Sequence, residues 1–342
     1  MRGIRFPYAS SRQTYWEMAS RYGVLVAILL AVVVGSSILT PEVLQPSNLA
    51  GMSVFGVEVG LMAFGETLVI LGGGGGIDLS VGAMYALSQT VLGAMFQAHY
   101  GVWTASVGAL VMGSILGATN GFFICVLGIP AILVTLATLF AYDGLALVVA
   151  NGVNISGFPP TFGVIGQSSI AGVPFQLLVI YIPVAVFLWY ASTRAAYGYR
   201  LRLCGTNEVA ARLAGINVRG VRFWAYVAAG LLSGVAGVIG TSRLLTARPD
   251  AGATANIEAI TIAVLGGTAI FGGEGSISGT ALATLVIALL GYSFGLANIN
   301  SIIETGSVGG ILIVAIWGQT ALSSYSQRHR AGANALEASD RA

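Results

Sequence analysis

Residues 72–84 read GGGGGIDLSVGAM, a glycine-rich break between two apolar stretches at 52–72 and 80–98. A second break, FGGEGSISGTAL at 271–282, separates apolar stretches in the same way near the other end of the chain. Apolar runs of about 20 residues are long enough to cross a bilayer as helices. We interpret the similarity of the two breaks as shared turn chemistry and claim no internal duplication from it.

The composition is that of a membrane protein. Of 342 residues, 56% are hydrophobic and 8% are charged, whereas a soluble domain has about 25% charged residues. The mean hydropathy is +0.86. These values predict an all-α polytopic fold with about ten transmembrane helices, at 23–40, 52–72, 80–98, 102–127, 131–150, 176–192, 222–242, 257–271, 277–296 and 302–321.

The arginines predict the orientation in the membrane. The chain contains no lysine, so all 15 basic residues are arginine. All except Arg243 and Arg248 lie before the first span, between the sixth and seventh spans, or after the tenth. Cytoplasmic segments carry the excess of positive charge, and with ten spans these three groups face the same side. We therefore expect both termini in the cytoplasm.

This topology divides the chain into three parts. We expect a cytoplasmic segment at 1–22, a permease domain at 23–321 with a cytoplasmic loop at 193–222, and a disordered cytoplasmic tail at 322–342. The apolar run at 23–40 is long for a signal peptide and no small-residue cleavage site clearly follows it, so we expect a retained helix. The external segment 151–175 is either a docking surface or an ordered connector.

Small residues recur inside the spans at helical spacing. Gly108, Gly113, Gly117 and Gly121 form one such series, and Gly230, Gly234 and Gly237 form another. Small residues let helices approach closely where lipid offers no hydrophobic driving force, so this pattern predicts a tight helix bundle. Cys125 and Cys204 are too few and too far apart for a disulfide framework or a metal site.

The cytoplasmic loop contains signals for a short helix over 207–214. Asn207 is a capping residue, Glu208 favours the N-terminal end, Arg212 favours the C-terminal end, and Gly215 suits the left-handed position after the helix. A helix of about two turns is marginal alone in water. We therefore expect it to rest against its own bundle or against a docked protein.

Three blocks of sequence resemble bacterial ABC importer permeases of the ribose, xylose and arabinose type. They are GGIDLSVG at 75–82, YGYRLRLCGTNEVAARLAGINV at 197–218 and AVLGGTAIFGGEGSISGT at 263–280, in the family's order and spacing. The resemblance extends from about residue 50 to residue 318. It implies a type II-like importer permease in the bacterial inner membrane.

The resemblance also implies partners. In such importers the cytoplasmic helix lies in a groove of a separate ATPase subunit, a periplasmic binding protein delivers the solute, and a second permease copy, identical or related, completes the pathway. The matching positions here are Glu208, Ala210, Ala211 and Gly215, and the helix signals add Asn207 and Arg212. Flanking Arg200, Arg202 and Arg219 could contact acidic partner surface or membrane lipid.

The glycine-rich breaks are the second candidate site, with a role in gating. Its residues are Gly75, Gly76, Asp78, Ser80, Gly82, Gly272, Gly273 and Gly275. An acid between apolar spans is costly unless it faces a cavity, a partner or water. Asp78 therefore either caps the helix that starts near Ser80 or moves with the pathway during gating.

Acidic residues inside or beside apolar stretches are candidates for the pathway or for helix contacts. We select Glu66, Asp143 and Glu258 as pathway candidates, and Glu58 and Glu304 as further interior acids. No cofactor or metal is expected.

The function predicted is import of a sugar (pentose, hexose or polyol), driven by ATP that another subunit hydrolyses. A chain without lysine cannot form a Walker A loop, so we expect this chain not to hydrolyse ATP itself. No HExxH motif or paired histidine appears in the spans, so we do not expect an intramembrane enzyme either. Two alternatives remain: an ion-coupled secondary transporter, which would not need the 207–215 helix, and an importer for a furanone signal or a nucleoside.

Overall fold

The computed structural model of the chain describes residues 11–318. The predicted tail at 322–342 and the first ten residues of the predicted segment 1–22 lie outside the described residues. Within 11–318 the chain is mostly helical, and its four strands have two residues each. Cys125 and Cys204 are both buried and free.

Helices succeed one another along the whole described part of the chain. Their bounds are α1 (Ser11–Leu39), α2 (Pro46–Leu71), α3 (Val81–Gln97), α4 (Val102–Gly121), α5 (Ala131–Val149), α6 (Val164–Gln167), α7 (Ile182–Thr193), α8 (Ala196–Thr206), α9 (Glu208–Leu213), α10 (Val218–Leu244), α11 (Ala255–Leu265) and α12 (Ile277–Leu296). A last helix, α13, covers Ser301–Gly318. Short π-helical segments, Phe122–Val126 and Gln176–Tyr181, follow α4 and precede α7, and 3₁₀ turns lie at Pro41–Leu44 and Pro160–Gly163.

Seven helical segments within residues 11–318 are long and apolar enough to cross a membrane. They are Ser47–Leu71, Val102–Val126, Ala131–Val149, Gln176–Thr193, Val218–Leu244, Ile277–Leu296 and Ser301–Gly318. The predicted count of about ten is therefore not confirmed. The other three predicted spans coincide with a 15-residue apolar part of α1 (Leu25–Leu39), with the 17 residues of α3, and with the 11 residues of α11.

The predicted helix at 257–271 is wrong in its bounds. The structured helix ends at Leu265, because Gly267 adopts a left-handed backbone with φ of 88°. Ala247 lies beside Gly93 of α3, whereas Gly252 lies against Gly82 at the start of α3. The non-helical segment 248–254 thus runs along much of the length of α3. The region of the predicted eighth span therefore combines an irregular stretch with a short helix, which sequence periodicity cannot show.

Two small antiparallel sheets order the segment 151–175. Strand β1 (Ile155–Ser156) pairs with β4 (Thr246–Ala247), with Ile155 opposite Ala247. Strand β2 (Ser169–Ile170) pairs with β3 (Val173–Pro174). Gly166 lies against Arg243 at the end of α10, where its N–H donates to Ser242 Oγ at 3.0 Å. The segment is ordered and attached to α10.

The centre of the bundle depends on the contact between α4 and α10. A Cβ atom on Gly230 would collide with the carbonyl oxygen of Gly113 and would lie 2.8 Å from the nitrogen of Gly117. Ala229 packs against Gly65 of α2 on another side of the same helix. The small-residue pattern therefore marks a true helix contact, as the sequence predicts.

We expect Gly230→Ala to destabilise the protein, because even one methyl group has no room between α4 and α10. Overpacking of this kind costs about 1–3 kcal/mol, which a detergent-unfolding titration of the purified protein measures. Gly144→Ala on α5 is the matched control, since a Cβ there meets nothing within 4 Å. Equal stability of the two variants would contradict the close contact.

Candidate functional site

Both glycine-rich breaks and the loop at 193–222 meet at one place, which we call the glycine junction and define as Gly73, Gly205 and Gly273. The N–H of Gly273 donates to the carbonyl of Leu71 at 3.0 Å. A Cβ on Gly73 would lie 2.6 Å from Cα of Gly205, and one on Gly205 would collide with the nitrogen of Gly273. The loop after α2, the end of α8 and the loop after α11 therefore pack backbone against backbone.

The other predicted glycines of the breaks lie in different surroundings. Gly272, with φ of 90°, packs against Gly73 and belongs beside the junction. Gly76 and Gly275 pack within their own regions, against Val69 and Thr268 respectively. Gly82 contacts Gly252 instead. A Cβ on Gly75 would meet nothing within 4 Å, so only its left-handed backbone (φ of 71°) explains the glycine.

The short helix predicted over 207–214 is present as α9. The side chain of Asn207 accepts a hydrogen bond from the N–H of Ala210 at 2.9 Å, and Gly215 has φ of 77° just after the helix. Ala211 is buried against Cys204 and Val218. It therefore faces its own chain, so of the two predicted alanines only Ala210 is exposed.

The outer face of α9 is apolar and uncovered. Val209 is 67% exposed and Leu213 is 86% exposed. Residues four apart lie on the same face of a helix, so the two side chains form one patch. The sequence argument missed both residues. Their spacing within a segment of arginines and glycines is the signal that could have found them.

Arg222 connects this helix to the glycine junction. Its Nη1 lies 2.7 Å from Glu208 Oε2, its Nε donates to the carbonyl of Gly72 at 2.8 Å, and its Nη2 donates to the carbonyl of Cys204 at 3.3 Å. Arg212 also pairs with Glu208. One guanidinium of α10 thus holds α9, the end of α8 and the start of the glycine-rich loop. The sequence placed Arg222 only among the orienting arginines.

The charge on Glu208 persists at neutral pH. Partial burial alone would raise the pKa of this carboxyl, but hydrogen bonds and charge from Arg222 and Arg212 outweigh burial and lower the pKa. A carboxyl with a depressed pKa loses its ion pairs only when the pH falls into the acid range. The link between α9 and Arg222 is therefore constant across physiological pH.

Beyond the junction, the loop enters a buried polar network. Asp78 and Glu66 are fully buried. Asp78 Oδ1 accepts from the N–H and the hydroxyl of Ser80 at 2.9 and 2.6 Å, and Asn120 donates to Ser80 Oγ at 2.8 Å. The N–H of Asp78 donates to Glu66 Oε1 at 3.1 Å. Within residues 11–318 neither carboxylate forms a salt bridge.

The network gives the surroundings of two of the candidate acids. Asp78 bonds the N–H of Ser80, one residue before α3 begins at Val81, and not the first N–H groups of the helix itself. It shapes the turn that leads into the helix and is not a helix cap in the usual sense. Glu66 fixes the glycine-rich loop and does not line the cavity described next.

A cavity of about 700 Å³ is lined by residues of α2, α3, α10, α11, α12, α13 and the irregular segment 248–254. At its wall Glu58 Oε1 accepts from Arg243 Nε at 2.6 Å, and Glu58 Oε2 accepts from the Tyr85 hydroxyl at 2.7 Å. Glu258 and Glu304 also line it. Asp143 lies half-buried on α5 and is not in this lining.

Of the three predicted pathway acids, only Glu258 thus lines the cavity. Arg243 and Arg248, the two arginines outside the three groups used to predict the orientation, are lining residues that sequence reasoning left without a role. Their position, apart from the other thirteen arginines, was the sequence signal that could have identified them as cavity residues. No group of three or more His, Cys, Asp or Glu within the described part of the chain could hold a metal ion.

Comparison with known proteins gives one consistent result. Residues 48–316 match the family described as the permease component of branched-chain amino acid transport systems. An autoinducer 2 import system permease, LsrD, of Klebsiella pneumoniae is 34% identical over 311 residues, which cover 89% of this chain and 91% of LsrD. No solved structure matches the chain.

Ribose permeases are similarly related. The ribose import permease RbsC of Bacillus subtilis is 35% identical over 290 residues, covering 84% of this chain and 89% of RbsC. RbsC of Haemophilus influenzae is 31% identical over 297 residues, with coverage of 86% and 90%. The chain therefore belongs to the family of branched-chain amino acid transport system permease components, and it is a multi-pass membrane transporter component and not an enzyme.

Proposed function

We propose that this chain is the permease subunit of an ATP-driven importer that carries a sugar-like solute inward. The observation that carries the proposal is the exposed apolar patch of Val209 and Leu213 on α9, attached through Glu208 and Arg222 to the glycine junction. A six-residue helix that offers bare apolar side chains fits a docking element for a protein partner. We assign that partner as the ATPase subunit.

The contacts around Arg222 suggest how a push on α9 would reach the spans. Displacing Glu208 pulls Arg222, and Arg222 holds the carbonyl of Gly72 directly. The loop from Gly72 leads to Asp78 and then to α3. The backbone contacts of the glycine junction would move the start of α12 together with this loop, since packed backbones do not deform independently.

The topology proposed for the chain keeps ten crossings. The glycine junction brings the loops after α2, α8 and α11 to one end. The β1–β4 pair joins the segments before α7 and before α11 at another place. If the chain passes from one end to the other with each span, three crossings are needed beyond the seven long helices. We assign them to α1, to α3, and to α11 together with the irregular segment 248–254 that precedes it. We place both termini in the cytoplasm and the protein in the bacterial inner membrane, with 1–22 and 322–342 flanking the permease domain at 23–321.

Three further partners complete the proposal. A periplasmic solute-binding protein would dock on the external side, where residues 151–175 are ordered against α10. A second permease copy, identical or related, would complete the pathway, and lipid surrounds the spans. Ribose and autoinducer 2 are the solutes in the names of the relatives. We take a sugar or sugar-like compound as the solute here.

We expect Leu213→Glu to abolish association with the ATPase without unfolding the permease, because the side chain is exposed. The measurement is affinity purification of the tagged chain from mildly solubilised membranes, with identification of co-purifying proteins and uptake of labelled ribose. Val153→Glu is the matched control for ATPase association alone, since Val153 is 63% exposed on the segment 151–175, away from α9.

Three results would speak against the proposal. The unsubstituted chain could purify without any P-loop ATPase, Leu213→Glu could retain the ATPase, or uptake could follow an ion gradient alone. The last result would favour a secondary transporter.

We expect Arg222→Lys to keep the ATPase bound but to uncouple it. A lysine ammonium retains the charge opposite Glu208 but cannot reproduce the planar set of donors that also reaches Gly72 and Cys204. Loss of charge-assisted bonds worth about 1.5–3 kcal/mol each should lower the solute imported per ATP about tenfold in proteoliposomes. Arg219→Lys, at an exposed position nearby, is the control. An unchanged ratio in Arg222→Lys would contradict the proposed transmission.

A further inference from the structure

We propose that the cavity beside Glu58 is a charge-selective site that accepts neutral or cationic polyhydroxylated solutes and excludes anionic ones. The inference rests on the proposed function only in taking this cavity as part of the solute pathway. Its volume of about 700 Å³ lies within the range of small-molecule sites, about 300–1,000 Å³. Such a space is also wide enough to hold many waters.

The lining carries an excess of acid. Four carboxylates line the cavity, from Glu58, Asp250, Glu258 and Glu304, against the two guanidiniums of Arg243 and Arg248. Four negative and two positive groups leave a net formal charge of −2. Among the described residues, no other charged side chain belongs to the lining.

Both arginines are already paired with acids. Arg243 lies 2.6 Å from Glu58, and Arg248 lies 3.1 Å from Asp250. Glu258 and Glu304 form no salt bridge within residues 11–318, and both line the same cavity. Glu304 approaches the backbone of α12, where a Cβ on Gly291 would lie 2.6 Å from its Oε1. The excess negative charge is thus on these two residues.

This arrangement distinguishes solutes by charge. Carboxylates accept hydrogen bonds from hydroxyl groups and bind cations, whereas they repel the phosphate or carboxylate of an anionic solute. Arg243 is not free to compensate, because it is held by Glu58 and lies 4.8 Å from the ring of Phe55. Neutral sugars and polyols therefore fit the cavity, and sugar phosphates and sugar acids do not.

The electrostatic potential of the cavity can be measured from the rates at which charged reagents modify a cysteine in its lining. Ala253, an exposed residue of the lining, is replaced by cysteine in a protein whose two buried native cysteines are replaced by alanine. Reaction rates are measured with a cationic and an anionic methanethiosulfonate reagent. The same two rates at Tyr100→Cys, which is 55% exposed and outside the cavity lining, provide the reference ratio.

We expect the cationic-to-anionic rate ratio at Ala253→Cys to exceed the reference ratio roughly 10-fold or more, as a charged cleft concentrates counter-ions. Adding Glu258→Gln and Glu304→Gln should bring the two ratios together. Raising the salt to about 1 M, where the Debye length is about 3 Å, should do so without any change to the acids.

Either of two results overturns the proposal: a ratio at Ala253→Cys no higher than the reference, or a raised ratio that survives both glutamines. The salt series keeps the test valid if the double variant fails to fold. The outcome is independent of ATP-driven import, because the rates need neither the ATPase nor a binding protein. A cavity without charge preference would leave the importer assignment unchanged, and loss of ATPase association would leave the ratio measurable.

Discussion

The backbone contact at the glycine junction is the constraint on which the functional architecture depends. Gly73, Gly205 and Gly273 come from segments more than 60 residues apart in sequence, and each approaches a neighbour closely enough to exclude a side chain. In a membrane protein such contacts replace the hydrophobic driving force that water provides elsewhere. They make the loop that carries α9 and both glycine-rich breaks one mechanical unit.

The cost of burying polar groups explains what surrounds this unit. Away from water, each unpaired backbone or side-chain group costs several kcal/mol, so an irregular loop among apolar helices requires internal partners. Arg222 satisfies the carbonyls of Gly72 and Cys204, and Ser80 and Asn120 satisfy Asp78. Glu66 accepts the N–H that the turn leaves free. The buried acids nearest the break therefore stabilise the loop.

Local chemistry in the sequence was enough to predict α9, its cap at Asn207 and the left-handed Gly215, because these depend on neighbouring residues. Small residues at helical spacing were enough to predict a tight bundle, but not that α4 and α10 are the helices in contact. The roles of Arg222 and Glu66 could not be predicted, since each is decided by partners brought together only in the fold. Nor could the short α11, because an apolar composition does not distinguish a helix from an irregular stretch.

Helices α10 and α2 join the proposed coupling region, around α9 and Arg222, to the cavity. On α10, Arg222 lies at one end and Arg243 at the other, 21 residues apart, or roughly 30 Å along a helix. On α2, Leu71 contacts Gly273 and Glu58 pairs with Arg243. Rigid elements carry energetic coupling between distant sites when both ends are anchored. A shift of α10 relative to α2 at the glycine junction would therefore alter the Glu58–Arg243 pair at the cavity wall, so the proposed coupling region and the proposed solute site need no additional moving part between them.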